Sequence, residues 1–281
     1  MGQRVSPVYG DPVLDIVPIT ALPDTAVRQC LTEAGAVDLF LEPWDRPLPQ
    51  GTMAAVVDDV VVGVGWLMPR PEGLQLDVRV HPSHRRAGVG AALADRLSNS
   101  AKTMVARCDS GHRSAIQFVE GLGFELHGMV FGQRWDGAPD EVPPAFRTAD
   151  LEDAEDRFDA WRFLQAARED VESAPAFDAS LIGDPATRVR LARRDGALVG
   201  ICAARRITDA WRIGGLSVTP NFRRYGIGRF LLCDLMDCAA RDGLGVIIKV
   251  SAAQEQVVRW TRELGFYTYR TWADYRRGPT T

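Results

Sequence analysis

The sequence predicts an α/β protein of two similar domains, each a twisted mixed sheet flanked by helices. One motif occurs twice, as VHPSHRRAGVGAALADRL over Val80–Leu97 and as VTPNFRRYGIGRFLLCDL over Val218–Leu235. Each copy follows a strand-like apolar run and opens an amphipathic helical pattern. The chain has 281 residues, and one domain usually takes about 150. Because the motif recurs at about half the chain length, the pattern indicates a duplicated domain.

Apolar runs and turn signals predict the elements of the first half in order. A strand over Val13–Thr20 precedes a helix that reaches about Ala34, and a hairpin follows over Met53–Met68. The strand GLQLDVRVHP leads into the first glycine loop and its helix. After them, TMVARCD predicts a buried strand and SAIQFVEGL a helix that ends at Gly123. FELHG and VFGQRW predict two strands that close this half.

The second half repeats this order of elements. AFRTADL predicts a strand, DAEDRFDAWRFLQAARED a helix and VRLARRDGALVGICAARR a hairpin. WRIGGLSVTP leads into the second glycine loop, GVIIKVS predicts a strand, and EQVVRWTREL predicts a helix that ends at Gly265. Between the halves, Gly137–Pro144 has the Pro, Gly and acidic content of a linker. We therefore expect domains at 12–136 and 145–281.

Composition narrows the range of functions. The net charge of −4 and the pI of about 5.7 give no basic field for nucleic acid. No apolar run approaches the roughly 18–20 residues that span a bilayer, and the first residues lack a secretory signal. The five cysteines form no C-x-x-C pair, which is typical of reduced thiols. We expect a cytoplasmic protein with neither nucleic acid nor membrane as a partner, and its oligomeric state stays open.

The two glycine loops carry the strongest functional signal. Each reads R-x-x-G-x-G, beginning at Arg85 and at Arg223. Glycine allows close approach of a ligand, and a helix N-terminus offers free N–H groups and partial positive charge, so each loop predicts a phosphate site. A Rossmann loop would need a third glycine, and a Walker loop would need Gly-Lys-Ser/Thr. A remaining alternative is that a copy keeps only the turn and has lost its ligand.

The combination of these loops with later Leu-Gly-Phe triplets, Leu122–Phe124 and Leu264–Phe266, resembles the GNAT superfamily of acyl-CoA-dependent N-acetyltransferases. The resemblance covers both halves. Nearly the whole chain is therefore similar to a tandem GNAT protein, in plan like mycothiol synthase and the tandem GNATs of antibiotic clusters.

The resemblance implies a cofactor, a site and an activity. Acetyl-CoA, or another short acyl-CoA, is the implied cofactor, with its pyrophosphate in the loop and its pantetheine arm along the preceding strand, where neighbouring strands splay apart. The implied activity is direct transfer of the acyl group to a primary amine of a small molecule. The implied cofactor-binding residues are Val80, Arg85, Arg86, Ala87, Gly88, Val89, Gly90 and Ala91, then Val218, Arg223, Arg224, Tyr225, Gly226, Ile227, Gly228 and Arg229.

Both halves depart from the family at the proton donor. Many GNAT enzymes have a tyrosine four residues before the glycine of Gly-Phe, and it protonates the leaving thiolate. Val119 and Thr261 occupy these positions here. Another donor, water, or a catalytically silent half would explain the departure.

A general base is also needed, because an amine at neutral pH is mostly protonated. Family members often have an acid three residues before the strand's last valine. The first half has Asp77 at this position, whereas the second has Gly215, preceded by Gly214. We therefore predict Asp77 as the catalytic residue. The alternative is an exposed strand aspartate paired with Arg79 or Arg107, and the glycine pair indicates either a bulge or room for a bulky substrate.

Other chemically active residues give weaker signals. His81 and His84 have a metal-like spacing, but no further ligands complete a set, so we expect no metal. His112 is a second acid/base candidate or a polar residue at a helix start. Cys108 fits a core position better than a nucleophile.

Aromatic residues and loop arginines leave three further alternatives. Trp135, Trp260 and Trp272 form either an aromatic wall for the acceptor or part of the core. The missing tyrosines favour a coenzyme A-binding scaffold or regulatory protein as the rival to an enzyme. A third possibility is recognition of an acyl-carrier protein by a basic lip around Arg85 and Arg223.

Overall fold

The computed structural model describes residues 14–35, 48–70, 72–98, 103–137, 147–150, 159–160, 162–163 and 186–278. They form two compact units that are not contiguous in sequence. Unit 1 contains the chain up to Arg107, Arg113–Leu126 and the residues from Tyr275 onward, and unit 2 contains Cys108–His112 and His127–Asp274.

Unit 1 has a mixed sheet in the order β1-β2-β3-β4-β5. The first four strands pair antiparallel, and β4 pairs parallel with β5. The strands are β1 Leu14–Pro18, β2 Met53–Val57, β3 Val60–Arg70, β4 Gly73–Val80 and β5 Met104–Asp109, whose last two residues belong to unit 2. The helices are α1 Asp24–Glu33, α2 Val89–Ser98 and α3 Arg113–Gly121, with 3-10 turns at Ile19–Ala21 and Pro82–His84.

Helices cover both faces of this sheet. Leu31 of α1 packs with Val64 and Trp66 on one face. Leu93 of α2 packs with Val62 on the other face. Successive strand side chains point to opposite faces, so the near-continuous apolar run of β3 supplies both layers.

Unit 2 repeats the architecture with the order β6-β11-β10-β9-β8-β7, and β12 lies beside β6. The strands are β6 Glu125–Trp135, β7 Arg147–Asp150, β8 Thr187–Arg194, β9 Ala197–Arg206, β10 Ala210–Val218, β11 Gly245–Ser251 and β12 Tyr267–Arg277. The first two residues of β6 and the last three of β12 belong to unit 1. The helices are α4 Ile227–Arg241 and α5 Glu255–Glu263, with a 3-10 turn at Pro220–Phe222. Helical residues 159–160 and 162–163 belong to the helix predicted between β7 and β8.

The core of unit 2 lies under α4. Leu231 and Leu235 are fully buried, and they pack with Val246 and Val250 of β11. Within the described ranges, no helix is both long and apolar enough to cross a bilayer.

Most of the last strand of the first sequence half, β6, belongs to unit 2. β6, from the first half, pairs antiparallel with β11 in unit 2, from Val246↔Trp135 to Ser251↔Val130. The chain from Tyr275 onward belongs to unit 1. The predicted boundaries 12–136 and 145–281 stay a prediction, because they divide the chain in sequence order and the compact units do not.

The structure differs from the sequence prediction at the last strand of the first half. FELHG and VFGQRW form one strand of 11 residues rather than two, because the extended backbone continues through Gly128. The predicted linker, except Gly137, lies outside the described residues.

Candidate active site

Both glycine loops fold with the same backbone geometry. After β4 and a 3-10 turn, φ is 67° at Arg86 and 81° at Gly88, and α2 then begins at Val89. After β10 and its turn, φ is again 67° at Arg224 and 81° at Gly226, and α4 begins. Left-handed values favour glycine, which accounts for the repeated Gly.

The space above the first glycine of each loop is open. Among the described residues, no atom lies within 4 Å of a Cβ atom built on Gly88 or on Gly226. The preceding residues, Arg86 and Arg224, are exposed, whereas Val89 and Ile227 are buried and fix their helices to the sheet. Each loop is therefore an open cradle at a helix N-terminus, which suits a phosphate.

The first arginine of each motif folds back onto its strand. Nε of Arg85 donates a hydrogen bond to the carbonyl oxygen of Val80 at 3.1 Å, and Nε of Arg223 donates to that of Val218 at 3.2 Å. Arg85 also donates through Nη2 to the carbonyl oxygen of Ala34 at 2.9 Å. These bonds fix the path of each loop.

The strand before each loop separates from its parallel neighbour. β4 and β5 pair at Leu74↔Met104 and Gln75↔Val105, so β4 runs on to Val80 beyond its last pair with β5. β10 and β11 pair from Ala210 to Arg212, and β10 likewise runs on to Val218. Main-chain groups along these ends are available to an extended ligand, as the splay predicted from the family requires.

Asp77 lies on β4 between two polar residues that share its face of the strand, Gln75 and Arg79. Its side chain accepts a hydrogen bond from Nε2 of Gln75 at 2.9 Å, and its other carboxylate oxygen is 3.6 Å from Nη2 of Arg79. The predicted pairing with Arg79 is present, but Asp77 is only 9% exposed, so the alternative of an exposed aspartate is wrong. Asp77 faces Trp66 across the strand pair, on the face that α1 covers.

The position of Asp77 in unit 2 is a bulge. Ile213 pairs with Ala204 while Gly215 pairs with Ala203, so Gly214 is the extra residue. The bulge interpretation of the glycine pair is confirmed. An extra residue increases local twist and bends the strand, and no carboxylate replaces Asp77 at Gly215.

Neither position of the family tyrosine carries a proton donor for the cleft. Val119 is in the core. Thr261 is fully buried, and its hydroxyl donates to Oε1 of Gln133 at 2.6 Å, with the carbonyl oxygen of Val257 at 2.9 Å. Both residues stabilise the packing of the helix before Gly-Phe.

His81, His84 and His112 lie in loops or turns. His81 and His84 both contact the hydroxyl of Ser83, at 2.6 and 2.8 Å, and Nε2 of His81 is 3.3 Å from Glu33. His112 has a side chain that is 71% exposed. Among the residues that the structure describes, no group of three His, Cys, Asp or Glu is arranged to hold a metal.

The three tryptophans and Cys108 belong to the core. Trp135 and Trp272 are buried, and Trp260 packs against the core of unit 2. Trp272 lies under two cations: Nζ of Lys249 is 4.9 Å from its ring and the guanidinium of Arg270 is 5.8 Å away. The core interpretation of these tryptophans is confirmed, and so is that of Cys108.

A groove of about 640 Å³ lies beside α5 in unit 2. Its lining residues are Phe131, Ala252, Glu255, Val258, Arg259, Arg262 and Glu263. They belong to α5, to β6 and to the residue that follows β11, and none of them lies on a glycine loop.

A family model matches the sequence in both halves of the chain. The model of the acetyltransferase (GNAT) family matches residues 23–124 and 148–266, which together include both loops. The chain belongs to the GNAT acetyltransferase family. Its two regions agree with the resemblance inferred from the loops and the Leu-Gly-Phe triplets.

Solved structures show the same fold over the whole length. A tandem GNAT protein from the clavulanic acid biosynthesis pathway is 19% identical, with a TM-score of 0.72, and the alignment covers 96% of this chain and 100% of that one. A GCN5-related N-acetyltransferase from Sphaerobacter thermophilus is 18% identical, with a TM-score of 0.65 and 95% of each chain covered. A putative acetyltransferase from Pyrococcus horikoshii is 12% identical, with a TM-score of 0.61, covering 100% and 94%. No curated protein matches the chain.

Proposed function

We propose that this protein is a cytoplasmic acyl-CoA-dependent N-acyltransferase that transfers an acetyl or other short acyl group to a primary amine of a small molecule. The observation that carries the proposal is the pair of open loops with matching φ values, each at the N-terminus of a helix. They lie within the two regions that match the GNAT family.

The residues of both loops fit a pyrophosphate. The left-handed backbone at the second arginine and at the first glycine of each motif turns main-chain N–H groups toward the same side of the loop. The open space above Gly88 and Gly226 admits phosphate oxygen atoms. Arg85–Ala91 and Arg223–Arg229 would hold the pyrophosphate, and the free edges of β4 and β10 near Val80 and Val218 would hold the pantetheine arm. Acetyl-CoA supplies an activated thioester when bound.

Asp77 is the proposed base. With an acyl-CoA bound, Asp77 would accept the proton that a protonated amine must lose before it can attack the thioester. Gln75 and Arg79 hold that carboxylate in one orientation. Since Val119 and Thr261 are in the core, we propose that water protonates the leaving thiolate.

A second function is favoured by the same two core positions. A protein that binds acyl-CoA without transferring the acyl group needs no proton donor, and neither Val119 nor Thr261 supplies one. The two functions share the cofactor site and differ only in whether an amine is consumed.

The test combines binding with turnover. Calorimetry with coenzyme A should show binding, and a panel of small amines should release free thiol from acetyl-CoA, with the acetylated amine seen by mass spectrometry. Binding with no amine-dependent thiol release would favour the scaffold function. No binding of coenzyme A at all would contradict both.

Glycine variants with matched controls locate the binding site. Gly226→Ala and Gly88→Ala place a methyl group in the cradles and should weaken binding. Gly196 and Gly51 have nearly the same φ, 80° and 81°, and a Cβ built on either has no atom of the described residues within 4 Å. Gly196→Ala and Gly51→Ala therefore impose the same backbone strain without touching a loop, and we expect them to leave binding unchanged.

A further inference from the structure

The second glycine of the motif has different surroundings in the two units. A Cβ atom built on Gly90 lies 3.1 Å from Cε2 and 3.3 Å from Cζ of Phe118, on α3. Of the atoms in the described ranges, a Cβ atom built on Gly228 has only Cγ2 of Val218 within 4 Å, at 3.9 Å. The ring of Phe118 therefore packs against the amino end of α2, whereas the same place beside α4 is open.

The residue that corresponds to Phe118 in unit 2 is Trp260, one residue before Thr261 and four before Leu264. It packs against the core of unit 2. Trp260 is absent from the surroundings of Gly228. The difference thus comes from which way the aromatic side chain packs, toward the loop in unit 1 and toward the core in unit 2.

The first loop is also tied to α1. Arg85 donates to the carbonyl oxygen of Ala34, just after α1, and His81 lies 3.3 Å from Glu33, the last residue of α1. In the described part of the chain, the hydrogen bond of Arg223 is with Val218 of its own strand. A ligand that needs the guanidinium of Arg85 must compete with Ala34.

The second loop has two side chains suited to binding a nucleotide that the first loop lacks. Tyr225 is 63% exposed beside Gly226, where unit 1 has Ala87. Arg229 follows Gly228, where unit 1 has Ala91. An exposed ring provides a stacking surface for a base, and a further cation favours phosphate.

We infer that the two cofactor sites are unequal: unit 2 binds coenzyme A in the resting protein, and Phe118 closes the site of unit 1 until its ring moves away from Gly90. This rests on the proposed function. A pantetheine arm that passes Gly90 to reach Val80 meets the ring of Phe118. Only protein molecules in which this ring is displaced can then bind coenzyme A in unit 1. The apparent affinity of that site is therefore the intrinsic affinity multiplied by the fraction of such molecules. Exposing a phenylalanine ring makes this roughly a 10- to 100-fold effect.

Asp77 lies in the unit that Phe118 closes. If Asp77 is the base, the ring controls access of acyl-CoA to the catalytic unit, and its removal should lower the KM for acetyl-CoA more than it changes kcat. Phe118 is then a residue that sets affinity without touching the reacting atoms.

Counting sites by calorimetry and native mass spectrometry with coenzyme A tests the inference. The unmodified protein should show one tight site and a second that is about 10- to 100-fold weaker. Gly226→Ala should remove the tight site. Phe118→Ala should strengthen the weak site by a similar factor and leave the tight one unchanged.

Phe118→Leu and Phe118→Trp complete the experiment. Leucine keeps an apolar side chain that supports folding and should give an intermediate gain, whereas tryptophan should keep the site closed. Two equal sites in the unmodified protein, or a weak site that no Phe118 substitution strengthens, would overturn the inference and leave the proposed function intact. Absence of binding in the unmodified protein and in every variant would instead contradict the proposed function.

Discussion

The hydroxyl group of Tyr275 donates a hydrogen bond to Oε1 of Glu120 at 3.1 Å, although 155 residues separate them. Two residues further on, Arg277 donates to the carbonyl oxygen of Leu122 at 3.0 Å and lies over the ring of Phe124, 5.0 Å from its centroid. The end of the last strand thus holds the carboxyl end of α3 in unit 1. Folding of unit 1 therefore depends on residues at the far end of the chain.

The first prediction concerns this contact. Tyr275→Phe should lower the free energy of unfolding by about 1 kcal/mol, because it leaves a carboxylate oxygen without its donor at a part-buried site. Urea unfolding measures the change. Tyr267→Phe is the control, since its hydroxyl bonds to Asp136 at an exposed site, and we expect a smaller loss. Equal losses in both variants would contradict a structural role for the tail in unit 1.

The second prediction concerns Thr261. Thr261→Val removes a buried hydroxyl and leaves Oε1 of Gln133 without its donor, so stability should fall by about 1–3 kcal/mol. Because this hydroxyl is enclosed in the core, kcat at a temperature where the variant is folded should be unchanged. Thr261→Ser keeps the hydroxyl and should recover most of the stability. A fall in kcat for valine but not for serine would show that Thr261 supplies a proton after all.

The glycine loops were predictable from sequence because their determinants are local. Left-handed backbone needs glycine at Gly88 and Gly226, and the helix begins one residue later in both copies. Asp77 was also predicted to lie on a strand, and it lies on β4. Its burial was not predictable, because that depends on Trp66 and α1, which the local pattern does not specify.

The pairing of β6 with the second half of the chain was not predictable from local patterns. β6 pairs with β11, from Trp135↔Val246 onward, yet the same residues would suit a strand that stayed with its own half. The pairing partner of a strand depends on tertiary packing rather than on its own sequence. The packing of Phe118 against Gly90 was missed for a related reason, although its replacement by Trp260 in the second copy was a visible signal.

The third prediction concerns thiol chemistry. All five cysteines are buried, so a thiol reagent should label none in the folded protein at pH 8 and all five in denaturant. Burial raises the pKa of Cys202 to about 12, with help from the charge of Asp234, and burial followed by the charge of Glu33 raises the pKa of Cys30 to about 11. Rapid labelling of any cysteine under native conditions would contradict the described packing.

The same shifts predict a fourth result, the pH dependence of stability. The unfolded thiols ionise near the ordinary value of 9.0, while the folded ones stay protonated up to about 11. The unfolded state then releases protons that the folded state keeps, so stability should be fully present below about pH 9 and fall as pH rises toward 11. Urea midpoints at several pH values measure this. Cys202→Ala should reduce the slope, and an unchanged slope would assign the loss to other groups.

The fifth prediction is that Asp77 acts as the base. Asp77→Asn keeps the shape of the side chain and an oxygen that can still accept from Gln75, but it removes the basicity. We expect kcat/KM with an amine acceptor to fall about 10²- to 10⁴-fold, while coenzyme A affinity and the free energy of unfolding change little. Steady-state kinetics across pH, with calorimetry on the same samples, measures both effects.

Arg79→Gln is the matched control for Asp77. It removes the cation 3.6 Å from the carboxylate and leaves the carboxylate itself. If Asp77 is the base, this variant should keep most of the activity that Asp77→Asn loses, because the carboxylate that accepts the proton remains. Turnover that survives Asp77→Asn but is lost in Gly226→Ala would place the chemistry in unit 2, where Gly215 occupies the position of Asp77. The bulge at Gly214 would then have to admit a substrate whose amine is deprotonated by water rather than by a side chain of β10.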